Sequence, residues 1–297
     1  MSKRCVAFSL ILAAILPAAL LAADDADWKP ESEEAAVKIL ENGRKSLGEL
    51  CRFEIECLGN NVDKSFEVEE RTRLWIYCEE SVGYTFTVSP LEPALMQTSR
   101  RSLDGRPYLV RSDCSKTWLM ADGLCTVVDE NRRTYEVVKA DPNNWILGSM
   151  MSTDALHRFI PPWLDSNVDW GDLKARFQIQ RARSTATIFF VEFTPLVERP
   201  EWRSGDDDRL RGHHRISIDR KTLRPTKWWT QDESGHEQTF VYTRFDANAP
   251  RRELKISLAG YKDVNTLPKP SPKEDPKPAI NTASLEVGAR ILFWLLF

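Results

Sequence analysis

The stretch Trp118–Val138, WLMADGLCTVVDENRRTYEVV, decides the fold. Asp122-Gly123 is a two-residue hairpin signal, because both residues tolerate the positive φ that a tight turn between twisted strands needs. Leu124 to Val128 runs apolar and β-branched, Asp129-Glu130-Asn131 interrupts it, and Thr134 to Val138 resumes the run. Tyr135 and Val137 then share one face, with Thr134 and Glu136 on the other. This is a β-meander, and three strands alone cannot bury enough surface to stand, so a larger antiparallel sheet with one covered face is expected.

Working outward, Leu50 to Leu58, Ser65 to Glu79, Gly83 to Val88, Leu95 to Ser102 and Tyr108 to Val110 read as strands joined by short loops, which predicts antiparallel pairing. Before them, Pro30 and Ser32 open a helix with Glu33 and Glu34 in its first turn. Ala36, Ile39, Leu40 and Leu47 form its apolar stripe, interrupted by Gly43 and Gly48. After Asp141-Pro142 the strand pattern breaks. Trp145 to Phe159, with Leu147, Met150, Met151 and Leu156, predicts one or two short helices ending at Pro161-Pro162. Strands return at Phe177 to Gln180, Ile188 to Thr194, His214 to Asp219, Thr226 to Gln231 and His236 to Tyr242, with turns at Arg220-Lys221-Thr222 and Ser234-Gly235.

The chain of 297 residues is 42% hydrophobic and 29% charged, ample for one folded core, and 41 basic against 44 acidic residues create no global field for nucleic acid. Lys3 and Arg4, the apolar run Val6 to Leu21 and the exit Ala22-Ala23 have the order of a secretory signal, so export to the periplasm or cell envelope and cleavage near Ala23 are expected. No cysteine stands directly after the cleavage point to be acylated. Five cysteines would remain, Cys51, Cys57, Cys78, Cys114 and Cys125, an odd number in an oxidising compartment. Cys51 and Cys57 lie about 20 Å apart along one strand, and Cys125 faces Met120 rather than Cys114 across the hairpin, so no disulfide is assigned. Their spacing does not suggest a zinc site.

A set of motifs in order adds a resemblance. RLWIY at Arg73 to Tyr77, MADGLCTVVDENRRTYEVV, a Trp-bearing helical connection, FFVEFTP at Phe189 to Pro195, and ISIDRKTLRPTKWWTQDESGHEQTFVYTRFDANAP resemble the Lol-type (LolA-like) periplasmic lipoprotein carriers. The likeness runs from about Glu31 to Asp263. It implies an α+β, mainly β fold: a curved antiparallel sheet forming an incomplete barrel, covered by a few helices and holding acyl chains in an apolar cavity. Those carriers have a basic residue and a proline soon after the LW strand, where an arginine holds the lid. This chain has Cys78, Glu79 and Glu80 there, a departure that bears on lid gating and on lipoprotein transfer.

The candidate lining follows from period two. Leu74, Ile76 and Cys78 share one face, as do Tyr84, Phe86 and Val88, and Leu74, Ile76, Tyr84, Phe86 and Val88 are the expected lipid-binding residues. An ordinary filled core would use the same side chains. Trp228 and Trp229 alternate, one to each face, which fits core packing and surface cover better than a stacking platform. His213 and His214, near Asp206 to Asp208, point to opposite faces and cannot easily ligate one ion. No GxSxG elbow, HExxH or P-loop supports catalysis, and no cofactor is expected.

The expected organisation is a signal peptide at 1–23, a half-barrel domain at 30–263, a Pro/Lys-rich linker at 264–280 and a short apolar tail at 281–297, whose ARILFWLLF is far below the ~20 residues that span a bilayer. The sequence therefore reads as an exported, non-enzymatic, monomeric carrier of acyl chains or lipidated proteins, whose tail either docks on a membrane or a membrane-associated partner or is a poorly ordered apolar end. The competing reading is an envelope scaffold or interaction protein with a filled core.

Overall fold

The computed structural model describes residues 28–50, 52–64, 66–79, 82–91, 96–101, 105–111, 115–139, 159–196, 208–247 and 249–266. The export segment, the helical connection apart from Phe159, Cys51, Cys114, Glu80, and the chain from Leu267 through the tail lie outside them.

Among the described residues fifteen strands form one curved sheet. In chain order they are β1 (Lys29–Pro30), β2 (Arg52–Asp63), β3 (Val68–Glu79), β4 (Gly83–Pro90), β5 (Met96–Arg101), β6 (Pro107–Arg111), β7 (Lys116–Ala121), β8 (Leu124–Asp129), β9 (Thr134–Lys139), β10 (Phe177–Ser184), β11 (Ile188–Pro195), β12 (His213–Asp219), β13 (Pro225–Gln231), β14 (Glu237–Asp246) and β15 (Lys262–Asp263). Across the sheet the order is β1-β10-β11-β12-β13-β14-β2-β3-β4-β7-β8-β9-β15, with the β5–β6 hairpin branching from β3. Among the described residues β1 and β15 are not paired with each other, so the barrel stays open. Register shifts between Ile179 and Arg181, Ser217 and Ile218, and Tyr242 and Arg244 bend the strands that carry them.

The meander forms as its turn residues dictate. Asp122 and Gly123 sit at φ 53° and 71°, as a tight hairpin requires, and Met120 faces Cys125. Asp129 Oδ1 accepts the N–H groups of Asn131 at 3.0 Å and Arg132 at 2.9 Å, which closes the second turn. Two pairings depart from the all-antiparallel expectation: Val68–Glu70 with Leu109–Arg111, and Lys262–Asp263 with Thr134–Tyr135, are parallel. Both are long-range returns, and the short-loop rule constrains only strands joined by hairpins.

Helix α1 (Glu33–Gly48) starts at Ser32, whose Oγ accepts the Ala35 N–H at 3.2 Å, and buries Ala36, Leu40, Gly43 and Leu47. Gly43 does not interrupt it. A Cβ there would lie 2.8 Å from Leu164 Cδ2, so glycine lets the helix press on the segment Phe159–Leu164. A second helix, α2 (Trp170–Arg176), was not expected; Asp169 caps it by accepting the Asp172 N–H at 2.7 Å.

The last described segment is a strap over the outer face. Arg52 Nε donates to the Ala249 carbonyl at 2.6 Å, the Arg252 N–H to Tyr77 Oη at 3.0 Å, and Arg252 Nη2 to both Glu54 carboxylate oxygens at 3.0 Å. Further on, the Lys262 N–H reaches the Arg133 carbonyl at 2.9 Å. Between these anchors on β2–β3 and β9, the strand order obliges the chain to cross β4, β7 and β8. Half-buried Leu254, Ile256 and Leu258 alternate with exposed neighbours along the crossing.

Candidate functional site

The register brings all five expected residues together on the core face. Leu74 lies opposite Val88, Ile76 opposite Phe86, and Tyr84 opposite Cys78, on β3 and β4. Each cross-strand row continues into neighbouring strands: Phe245, Ile55, Ile76, Phe86, Trp118 and Val127 form one, and Phe53, Cys78, Tyr84, Met120 and Cys125 the next. The patch is therefore apolar in two dimensions. All five residues are buried, the most exposed being Leu74 at 6%.

Aromatic rings organise it. Phe86 stacks on Trp118 with centroids 4.4 Å apart and planes 9° from parallel, and Tyr84 follows at 6.2 Å. The ring of Phe159 reaches the patch from outside the sheet, 6.3 Å from both Phe86 and Phe240. Trp118 and Met120 share their face by the same period of two used for Tyr84 to Val88, so that signal would have found them. Phe159 carries no local signal, because it arrives from a connection.

Phe159–Leu164 runs over the core face and is tied down by polar contacts. Buried Tyr242 Oη donates to the Phe159 carbonyl at 2.6 Å. Arg209 Nη1 donates to the Ile160 carbonyl at 3.2 Å and to the fully buried Asp165 carboxylate at 2.8 Å. Arg44 Nη2 donates to the Ser166 carbonyl at 3.0 Å and also to that of Val168. Trp163 stacks on Phe193 at 3.9 Å and meets His214 edge-on at 4.6 Å. This segment covers the half of the face built from β10 to β14, where Phe240, Trp228, Ile216 and Val191 form a row from β14 to β11.

The electrostatics suit an apolar function. Burial lowers the His214 pKa to about 3, aided by neighbouring His213 and opposed by the Arg211 carbonyl, so the imidazole is neutral. Burial pushes the Cys57 thiol far up and that of Cys125 to about 11, with Glu136 adding to the latter, which leaves both protonated and poorly nucleophilic. Among the described residues Cys57 and Cys125 are free thiols. His213 is exposed and His214 buried, on opposite faces as their adjacency predicts. Trp228 is in the core, while Trp229 lies on the outer face under the Arg215 guanidinium at 4.3 Å. Among the described residues no group of three or more His, Cys, Asp or Glu side chains is placed to hold a metal ion.

No family model and no curated protein sequence matches this chain. Solved structures do. MucB matches at 14% identity and a TM-score of 0.40, over 79% of this chain and 66% of that one, so the chain spans just under two thirds of its length. LprF from Mycobacterium bovis matches at 10% identity and a TM-score of 0.40, over 76% of this chain and 99% of that one. A LolA superfamily protein from Nitrosomonas europaea matches at 10% identity and a TM-score of 0.26, over 72% of this chain and 94% of that one. The chain is similar in fold to these proteins.

Proposed function

We propose that the chain is an exported, non-enzymatic carrier or chaperone of the cell envelope that holds acyl chains, free or on a lipidated protein, against the core face lined by Leu74, Ile76, Tyr84, Phe86 and Val88. The observation that supports it is the two-dimensional apolar patch on an open, bent sheet, with Phe159 laid on it from a connecting segment. An acyl chain that displaced Phe159 would gain about 0.8 kcal/mol for each methylene it buried, against about 3 kcal/mol for re-exposing one phenylalanine, so at least about four methylenes must reach the face for binding to be favoured. Export rests on the Lys3-Arg4 start and the apolar run that follows, and N-terminal sequencing of the protein from envelope fractions tests it.

A second reading has its own observation. Phe86 is already stacked between its neighbours and only 4% exposed, as in a filled core, which fits an envelope scaffold or interaction protein without lipid cargo. Uptake of a fluorescent fatty acid or a lipidated peptide separates the two. The carrier binds the probe, Phe86→Glu abolishes binding by placing a charge where the chain would lie, and Thr85→Glu, on the outer face, retains it. A folded parent that takes up nothing, or equal binding by the two variants, leaves the scaffold reading.

A further inference from the structure

The outer face away from the strap carries a belt of basic residues that the cross-strand register assembles from seven strands. One row reads Arg183, Phe190, Ser217, Lys227, Val241, Leu58, Arg73 from β10 to β3. The adjacent row reads Arg181, Glu192, Arg215, Trp229, Thr239, Asn60, Arg71. These two rows carry six basic residues and one acid, in a chain whose formal net charge is −3; Arg71 is paired with Glu69 of the next row at 3.1 Å, and the Arg183 guanidinium lies over the rings of Trp28 and Phe190 at 4.5 and 4.9 Å. Glu192 is paired with Arg215 at 2.7 Å. Arg73 is exposed, and neither it nor Lys227 forms an ion pair among the described residues. Lys227 is half-buried with Arg215 as its charged neighbour, and both effects lower its pKa.

We infer that this belt is a docking surface for an extended acidic segment of a partner polypeptide, with acidic residues at every fourth position and apolar residues between them. The spacing carries the inference. In the first row the cations stand on β10, β13 and β3, each three strands from the next, or about 14 Å. Four residues of extended chain cover about 13 Å, and because side chains alternate, positions i, i+4 and i+8 point the same way. Val241 and Leu58 lie between the cations and would meet the intervening apolar side chains, while Phe190 packs against Trp28 and Arg183 at the end of the row. A flat anionic bilayer fits less well, because strand twist of about 20° per step turns the belt through more than about 100° between its ends. The belt lies on the face opposite the acyl-chain patch, so this inference does not depend on that reading.

The test uses the full exported chain and a labelled peptide, Glu-Ser-Leu-Ser repeated three times, followed by fluorescence anisotropy. Binding is expected at about 0.02 M salt, weakened at least about tenfold near 0.3 M, where screening is shorter than about 8 Å. The double variant Arg73→Glu, Lys227→Glu is expected to bind at least about tenfold more weakly and to prefer the peptide with Lys in place of Glu. Arg73→Gln with Lys227→Gln, which adds no charge, falls between. A peptide of the same composition with its glutamates contiguous binds at least about threefold more weakly, because it cannot reach all three cations. Failure of the parent to bind, equal binding by the double variant, or equal binding of the contiguous peptide overturns the inference. Tighter capture by phosphatidylglycerol vesicles, lost in the same double variant, assigns the belt to a membrane and also overturns it.

Discussion

Lowering the pH from 7.5 to 5.0 should destabilise this protein through His214. The imidazole is fully buried, with Trp163, Phe177 and Trp228 around it. Burial holds its folded-state pKa near 3, against the ordinary value of 6.5 in the unfolded chain. The unfolded state therefore binds a proton that the folded state refuses whenever the pH lies between those values. Stability is fully present above about pH 6.5 and falls as the pH drops toward 3, at about 1.4 kcal/mol per unit. At pH 5.0 the loss from this one group is about 2 kcal/mol. Urea unfolding of the parent and of His214→Leu at pH 7.5 and 5.0 measures it. The substitution changes packing by the same amount at both pH values, so the difference between the two pH dependences isolates the histidine. The parent should lose about 2 kcal/mol more than the variant. Equal losses would refute the claim that a neutral histidine is locked in this core.

Two further substitutions test the packing that frames the sheet. Gly43→Ala should cost about 1 to 3 kcal/mol in chemical denaturation despite alanine's better helix propensity, because the new methyl meets fully buried Leu164; a stabilised variant would show that the segment Phe159–Leu164 yields easily. Glu54→Ala should cost about 1 to 3 kcal/mol, chiefly because it removes the acceptor that the Trp75 Nε1 donor reaches at 2.7 Å, while the exposed Arg252 guanidinium turns to water, and limited proteolysis should then cut between Ala249 and Tyr261; an uncut strap would mean that its hydrogen bonds to Arg52 and Tyr77 suffice to hold it.

The meander was legible because its signals are local. Asp122-Gly123 needs no tertiary context to turn, and the alternation of Trp118, Met120, Leu74, Ile76, Tyr84, Phe86 and Val88 within their strands names a face before any pairing is known. The hairpins β3–β4 and β7–β8 then bring those faces into register. Glu54 was not legible. Alternation places it on a solvent face, and Trp75, Arg244 and the strap arriving from nearly 200 residues later cover it together. The parallel pairing of β15 with β9 and the burial of His214 beneath Trp163 depend in the same way on long-range arrivals. Gly43 looks like a flaw in the helical stripe until Leu164 is placed against it. Whether the apolar face is filled or open is a matter of total volume, and periodicity carries no information about volume.

The central claim is that an acyl chain reaches Phe86, and 19F NMR of protein carrying 4-fluorophenylalanine at that position reads it directly while adding only one fluorine to the core. Titration with a fatty acid bearing a doxyl spin label along its chain should broaden the Phe86 resonance, with relief when unlabelled fatty acid competes. The account predicts saturable broadening. A resonance unchanged at concentrations where the spin label broadens only surface positions would contradict it.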